Sequence, residues 1–290
     1  MTTVDTLAAG WRPTRAAAPF TRLVWSELRW IFRRPRTLVV LGILGAIPVI
    51  IGLSVHLSGS ADGGPPGGEA PLFVTFASSA LALPVGTLSV TLMFLLPLTV
   101  AMVGADAIAG EQSHGTLRGW LLAPVTRGRL LTVKALGVAV AALVAVTLMT
   151  LTGVVTGFVL GGTDGLFTLS GTSLTVAEAL GRIGITISWV AVQLFAVGAV
   201  ALAISTFTEH PMVVVAGILA GDILFGVLLM LTAVDWLHPF LLTVSWTTAL
   251  PDVLRDPIPT GTLTEGALRA GCYMLIGLSI AYARLTAKDG

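Results

Sequence analysis

Charge is what this chain has least of: Asp, Glu, Lys and Arg make up 11% of its 290 residues, where a soluble domain carries about 25%. That scarcity excludes a chain folded in water, because a domain of this size exposes a large surface that polar groups must cover. Cysteine is nearly absent. Cys272 stands alone, so the chain holds no internal disulfide framework and no thiolate metal cluster. There is no Gly-x-x-x-x-Gly-Lys-Ser/Thr loop, and no Gly-Lys pair at all, which excludes ATP use by the P-loop route. The histidines, His56, His114, His210 and His238, are scattered, with no His-Glu-x-x-His pattern. No Gly-x-Ser-x-Gly elbow is present either. Neither a metal site nor a catalytic nucleophile is expected, and no cofactor in this chain.

What is present is apolar. Hydrophobic residues make up 55% of the chain and mean hydropathy is +0.93. In lipid every backbone amide needs an internal partner, which leaves helices or a closed barrel. Apolar runs of about 20 residues without a period of two select helices. Six spans are predicted: 38–55, 81–105 (kinkable at Pro84 and Pro97), 130–160, 183–207, 212–234 and 270–283. The third is about 46 Å long at 1.5 Å per residue, beyond the ~30 Å hydrocarbon core, so Lys134 near its start is expected to snorkel into the interface. The chain thus divides into a basic, amphipathic segment, 1–37, and a six-helix transmembrane domain, 38–290. A Gly/Pro-rich loop is expected over 58–71. A longer connection over 235–266, with Trp236, Phe240 and Trp246, suits short helices at the membrane interface.

Orientation follows from the basic residues. Seven arginines precede the first span, Arg118, Arg127, Arg129 and Lys134 follow the second, and Arg284 and Lys288 follow the last. Only Arg182, Arg255 and Arg269 fall on the other side. The positive-inside rule then puts both termini in the cytoplasm of a cytoplasmic-membrane protein. A basic segment beside a first span contacts anionic lipid; nucleic acid is not an expected partner.

The most informative stretch connects spans two and three, from Asp106 to Lys134. Ile108, Leu117, Leu121 and Leu122 can share one helical face, with Glu111, His114 and Arg118 more polar, and Pro124 stops the helix. The pattern Glu111-x-x-x-Gly115-Thr116-Leu117-x-x-x-Leu121-Leu122-x-Pro124-Val125-Thr126-Arg127, followed by Lys134, resembles the corresponding segment of ABC-2 type permeases, the membrane subunits of bacterial drug, antibiotic and polysaccharide exporters. Glu27-Leu28-Arg29, with Arg33-Arg34-Pro35-Arg36-Thr37, is similar to that family's amphipathic lead-in helix. The resemblance implies an all-α polytopic membrane protein with an N-terminal amphipathic helix, a cytoplasmic coupling helix between spans two and three, and a longer extracytoplasmic connection between spans five and six. It implies that Glu111, His114, Gly115, Thr116, Leu117, Leu121, Leu122, Pro124 and Arg127 form the surface docking on an ABC ATPase. That partner would bind ATP and Mg, and a second permease copy or a related permease would complete the assembly. Glu111 would anchor the turn, and Glu111→Lys is expected to uncouple ATP hydrolysis from transport.

Two polar residues interrupt the spans. Asp222 lies mid-span between Gly221 and Ile223, where an acid costs about 2.5–3.5 kcal/mol on insertion scales. It is either a substrate-path or cation-contacting group, for a hydrophobic or amphipathic substrate, or a carboxyl tied to a neighbouring helix. It also offers an alternative function, as the coupling site of an ion-driven secondary transporter. Gly217 and Gly221 suit close helix contact. Gln193 in span four is a second group of the same kind, on a substrate path or in structural bonding.

Overall fold

The computed structural model describes residues 19–59, 82–113, 126–161, 170 and 172–287. Every regular element among them is a helix. The first, α1 (Phe20–Arg33), is amphipathic: Leu23, Val24, Glu27 and Ile31 turn inward at helical spacing, while Arg22, Trp25 and Arg29 face out. It ends at Arg34, whose φ of −73° and ψ of 126° are the extended geometry that Pro35 imposes on its predecessor. Pro35 then opens α2 (Pro35–Gly59), where a missing N–H is harmless. The loop expected over 58–71 lies, past Gly59, outside the described residues.

The second span is broken. Helix α3 (Ala82–Leu92) and helix α4 (Leu95–Ala105) meet at Met93–Phe94 with a 58° bend. Pro97 explains the position: it has no N–H for the Met93 carbonyl, and its ring clashes with that carbonyl in a continuous helix. Pro84 sits in the first turn of α3, where no intrahelical partner is lost. After α4 the chain widens into a π turn, Asp106–Gly110, and closes with one α turn, Glu111–Ser113.

The rest comprises α5 (Arg127–Gly161), α6 (Val176–Ser205), α7 (Pro211–Leu229), a kinked 3-10 segment (Thr232–Phe240), α8 (Val244–Asp252) and α9 (Thr260–Ala287). Helix α6 opens with a capping box between Thr175 and Glu178. By length and composition, α2, α5, α6, α7 and α9 each suffice to cross a membrane, and the bent α3–α4 pair makes a sixth crossing if it is one span. The last span is longer than its uncharged run. It takes in Glu265 and Arg269 because Arg269 finds protein acceptors, donating Nε to the Pro239 carbonyl at 2.6 Å and Nη1 to Ser245 Oγ at 3.3 Å.

Helices α5 and α6 form the centre. Helices α1, α2 and α3 pack on α5, and α4, α7 and α9 on α6. The α6–α9 contact is close: a Cβ on Gly277 would stand 2.8 Å from the Ala199 carbonyl oxygen. Of the five unbroken crossings, α6 is the most buried and α7 the least. Ile50, Met212 and Leu275 are among the large apolar side chains facing outward from α2, α7 and α9, a surface for lipid or protein rather than water. At one end Arg129 lies over Phe20 and Arg284 over Phe207. At the other end lie Arg182, Asp256 and Thr262, around the C-terminus of α8.

Candidate functional site

Three helical elements converge near the α1 end on one cluster of charge. Residues five apart on an α-helix point about 140° away from each other. The wider π turn, with its i→i+5 bonding, narrows that gap and lets Asp106 and Glu111 both address neighbouring helices. Asp106 accepts from Arg34 Nη1 at 2.7 Å and pairs with Arg36. Glu111 accepts from Lys134 Nζ, and the same ammonium donates to Glu27 Oε2 at 2.9 Å. The Trp30 ring faces two of these cations, with Arg34 Cζ 3.3 Å and Lys134 Nζ 5.4 Å from its centroid. Three carboxylates and three cations make the cluster neutral overall.

Lys134 is only 1% exposed, Glu27 3% and Glu111 6%. The lysine therefore does not snorkel. A carboxylate delivered by α1 and another by the turn after α4 give its ammonium nearer partners than interfacial water. Buried pairs of this kind add little net stability over apolar packing, but they tolerate the loss of a partner badly. The approach of α1 to α5 depends on Gly137, where a Cβ would lie 3.0 Å from Ile31 Cδ1 and 3.1 Å from Glu27 Cγ.

Of the residues assigned to docking, Glu111 ends the π turn and Arg127 begins α5. His114, Gly115, Thr116, Leu117, Leu121, Leu122 and Pro124 lie outside the described residues. Both flanks of that segment are rooted in the charge cluster: Ser113 follows Glu111 within one turn, and Lys134 lies about two turns along α5 from Arg127.

Gln193 is fully buried, and its amide bridges three elements. Nε2 donates to the Gly266 carbonyl at 3.0 Å, and Oε1 accepts from the Trp246 indole at 3.2 Å. Trp189 Nε1 adds a bond to the Leu263 carbonyl at 3.0 Å. Trp246 is thus an interior group that pins α8 to α6, while Trp236 and Phe240 remain exposed. Beyond α8, Arg182 Nη1 donates to the carbonyls of Val253 (2.8 Å) and Arg255 (2.6 Å), and Nη2 pairs with Asp256 at 3.2 Å. A guanidinium from α6 therefore satisfies carbonyls just past the C-terminus of α8.

Asp222 lines a cavity of about 100 Å³ between α6, α7 and α9, and Gln193 is not part of its wall. The two polar candidates are not brought together. Gly217 and Gly221 border the same cavity. Nothing lies within 4 Å of a Cβ built on Gly221, and Gly217 meets only Ile204 at 3.7 Å. These glycines make space beside Asp222 instead of seating a neighbouring helix closely.

Glu27, Trp30, Arg34, Arg36, Asp106 and Lys134 are the members that sequence reasoning did not assign to a site. The signal was available. Each charge within an apolar bundle needs an opposite charge, and Lys134 was the one ionic group in its span.

A multi-pass helical membrane protein, ionically braced where its second and third crossings are joined, is the class that this fold and site define. The family described as ABC-2 family transporter protein matches residues 21–241. The chain belongs to that family, as a membrane component of transport. Comparison with curated proteins finds none that matches.

Proposed function

We propose that this chain is the permease subunit of an ABC exporter, moving a hydrophobic or amphipathic substrate with energy from a separate ATPase subunit. The observation that carries the reading is the rooting of both flanks of segment 114–125 in one buried ionic cluster, in a chain of the ABC-2 transporter family. Force applied to a segment so rooted reaches α1, α4 and α5 together, because Glu27, Glu111 and Lys134 do not separate cheaply. The ATPase would bind ATP and Mg and dock on His114 to Pro124, and a second permease copy or a relative would complete the transporter. The concentration of arginine at the α1 end favours a cytoplasmic position for that end, and hence for both termini.

Glu111→Lys disturbs more than coupling, because it sets two cations side by side where Lys134 now meets a carboxylate. Glu111→Gln is the milder probe. The deciding experiment reconstitutes the chain in vesicles with and without the P-loop ATPase that co-purifies with it, and follows the flux of a hydrophobic dye. ATP-dependent flux only when both chains are present is the expected result. Flux by this chain alone, driven by a proton or sodium gradient, overturns the reading in favour of an ion-coupled carrier using Asp222.

A further inference from the structure

We infer that the groove between α6, α7 and α9 is a binding site for lipophilic organic monocations, with the Asp222 carboxylate as its ionic partner. The inference rests on the exporter reading and names a substrate class for it. Asp222 Oδ2 is closed off from the surroundings and has no hydrogen-bond partner among the described residues. A polar atom in that position is costly unless something satisfies it. Its cavity shares Val200, Ile204 and Tyr273 with a groove of about 1020 Å³ that runs out past Phe207, Phe240 and Cys272. The joined space is of the size that takes a drug-like molecule.

The wall decides the chemistry. Among the described residues the only polar side chains in the inner cavity are Asp222 and Tyr273, and the Tyr273 hydroxyl donates to the Phe240 carbonyl at 3.1 Å. A metal cation needs several oxygen ligands, and one carboxylate beside a phenol does not supply them. A cation with its charge spread over an apolar body needs less: one counter-charge and aromatic faces. Phe225 and Tyr273 provide those faces in an edge-to-face pair with centroids 6.4 Å apart. Farther out, the groove carries Glu265 and Arg269, and the Arg269 guanidinium is already engaged by Pro239 and Ser245. An anion would meet the carboxylate without compensation, and a neutral amphiphile would leave it unmatched.

The single thiol is a built-in reporter, since Cys272 is exposed and lines the groove. The full chain in nanodiscs of zwitterionic lipid is reacted with a membrane-permeant maleimide. Tetraphenylphosphonium and tetraphenylborate, equal in shape and opposite in charge, are the added ligands. Phosphonium should protect Cys272 and borate should not. Asp222→Asn should weaken protection about tenfold, as expected for loss of one modest ionic contact, and Asp222→Glu should retain it. An unchanged labelling rate without ligand verifies that each variant is folded. Equal protection by both ions overturns the proposal, and so does undiminished protection in Asp222→Asn. So does a Cys272 that reacts only after dissociation to monomers, which would mean that a second copy covers the groove. The phosphonium–borate comparison in the unaltered chain decides even if no variant can be purified. No ATPase is present, so failure here leaves the exporter reading intact, and lack of ATP-driven flux alongside intact binding sinks only that reading.

Discussion

Replacing Lys134 by methionine tests the ionic junction most directly. The ammonium lies 2.9 Å from Glu27 Oε2 and also bonds Glu111. At an effective dielectric of 20, one such contact at 2.9 Å is worth about 6 kcal/mol before desolvation is subtracted. Most of that attraction offsets the cost of burying the charges, so the net value of the pair is small. Removing the cation alone is different, because two carboxylates remain in a pocket with their shared partner gone. The expected loss is about 3–5 kcal/mol, the range for breaking a buried pair. Glu27→Gln should cost less, since Lys134 keeps Glu111. The triple variant Lys134→Met, Glu27→Gln, Glu111→Gln should recover much of the loss, since the two carboxylates that Lys134 serves are then neutral amides. Denaturant unfolding in mixed micelles, followed by tryptophan fluorescence, gives the ranking. A Lys134→Met chain within about 1 kcal/mol of the original, or a triple variant no better than the single one, would refute the reasoning.

Two further substitutions probe other contacts. Gln193→Leu leaves the Trp246 indole N–H without its amide partner, at about 1–3 kcal/mol for the orphaned group, while the Gly266 carbonyl, inside α9, keeps its helical bond; faster hydrogen exchange confined to α8 and its contact with α9 is the expected signature. Gly137→Leu drives a side chain into Ile31 and Glu27, with an overpacking cost of about 1–3 kcal/mol. It should release α1 from α5, seen as faster proteolytic cutting within 20–33 while α5 and α6 stay protected.

The crossings were legible because lipid leaves few alternatives: an uncharged run of sufficient length has to be a helix, and each predicted span overlaps a helix or the bent pair. Their ends were less legible. The sixth run was read as 270–283 because Arg269 looked like a boundary, yet its donors meet Pro239 and Ser245 and the helix continues back to Thr260. The proline signal located the break, since the carbonyl that Pro97 leaves without an amide belongs to Met93, at the bend. Lys134 was misread as an interfacial lysine because no local pattern reveals that Glu27, 107 positions earlier, returns to meet it. The inward pairing of Trp246 is hidden for the same reason: its partner, Gln193, is on another helix. The π turn has no compositional mark in Asp106-Ala-Ile-Ala-Gly110, so nothing in the sequence reveals the directions of Asp106 and Glu111. Pairings between distant segments are what a single sequence hides.

The interruption at Met93–Phe94 divides the α3–α4 pair into two unequal pieces. From Leu95 to Ser113 the chain is a rod of about 28 Å at 1.5 Å per residue, clamped near its far tip by the bonds that Asp106 and Glu111 make. The shorter piece, almost wholly enclosed by its neighbours, is held in place independently of the rod. A small displacement at Ser113 would therefore be taken up as rotation near Phe94 rather than as a tilt of α3 and α4 together.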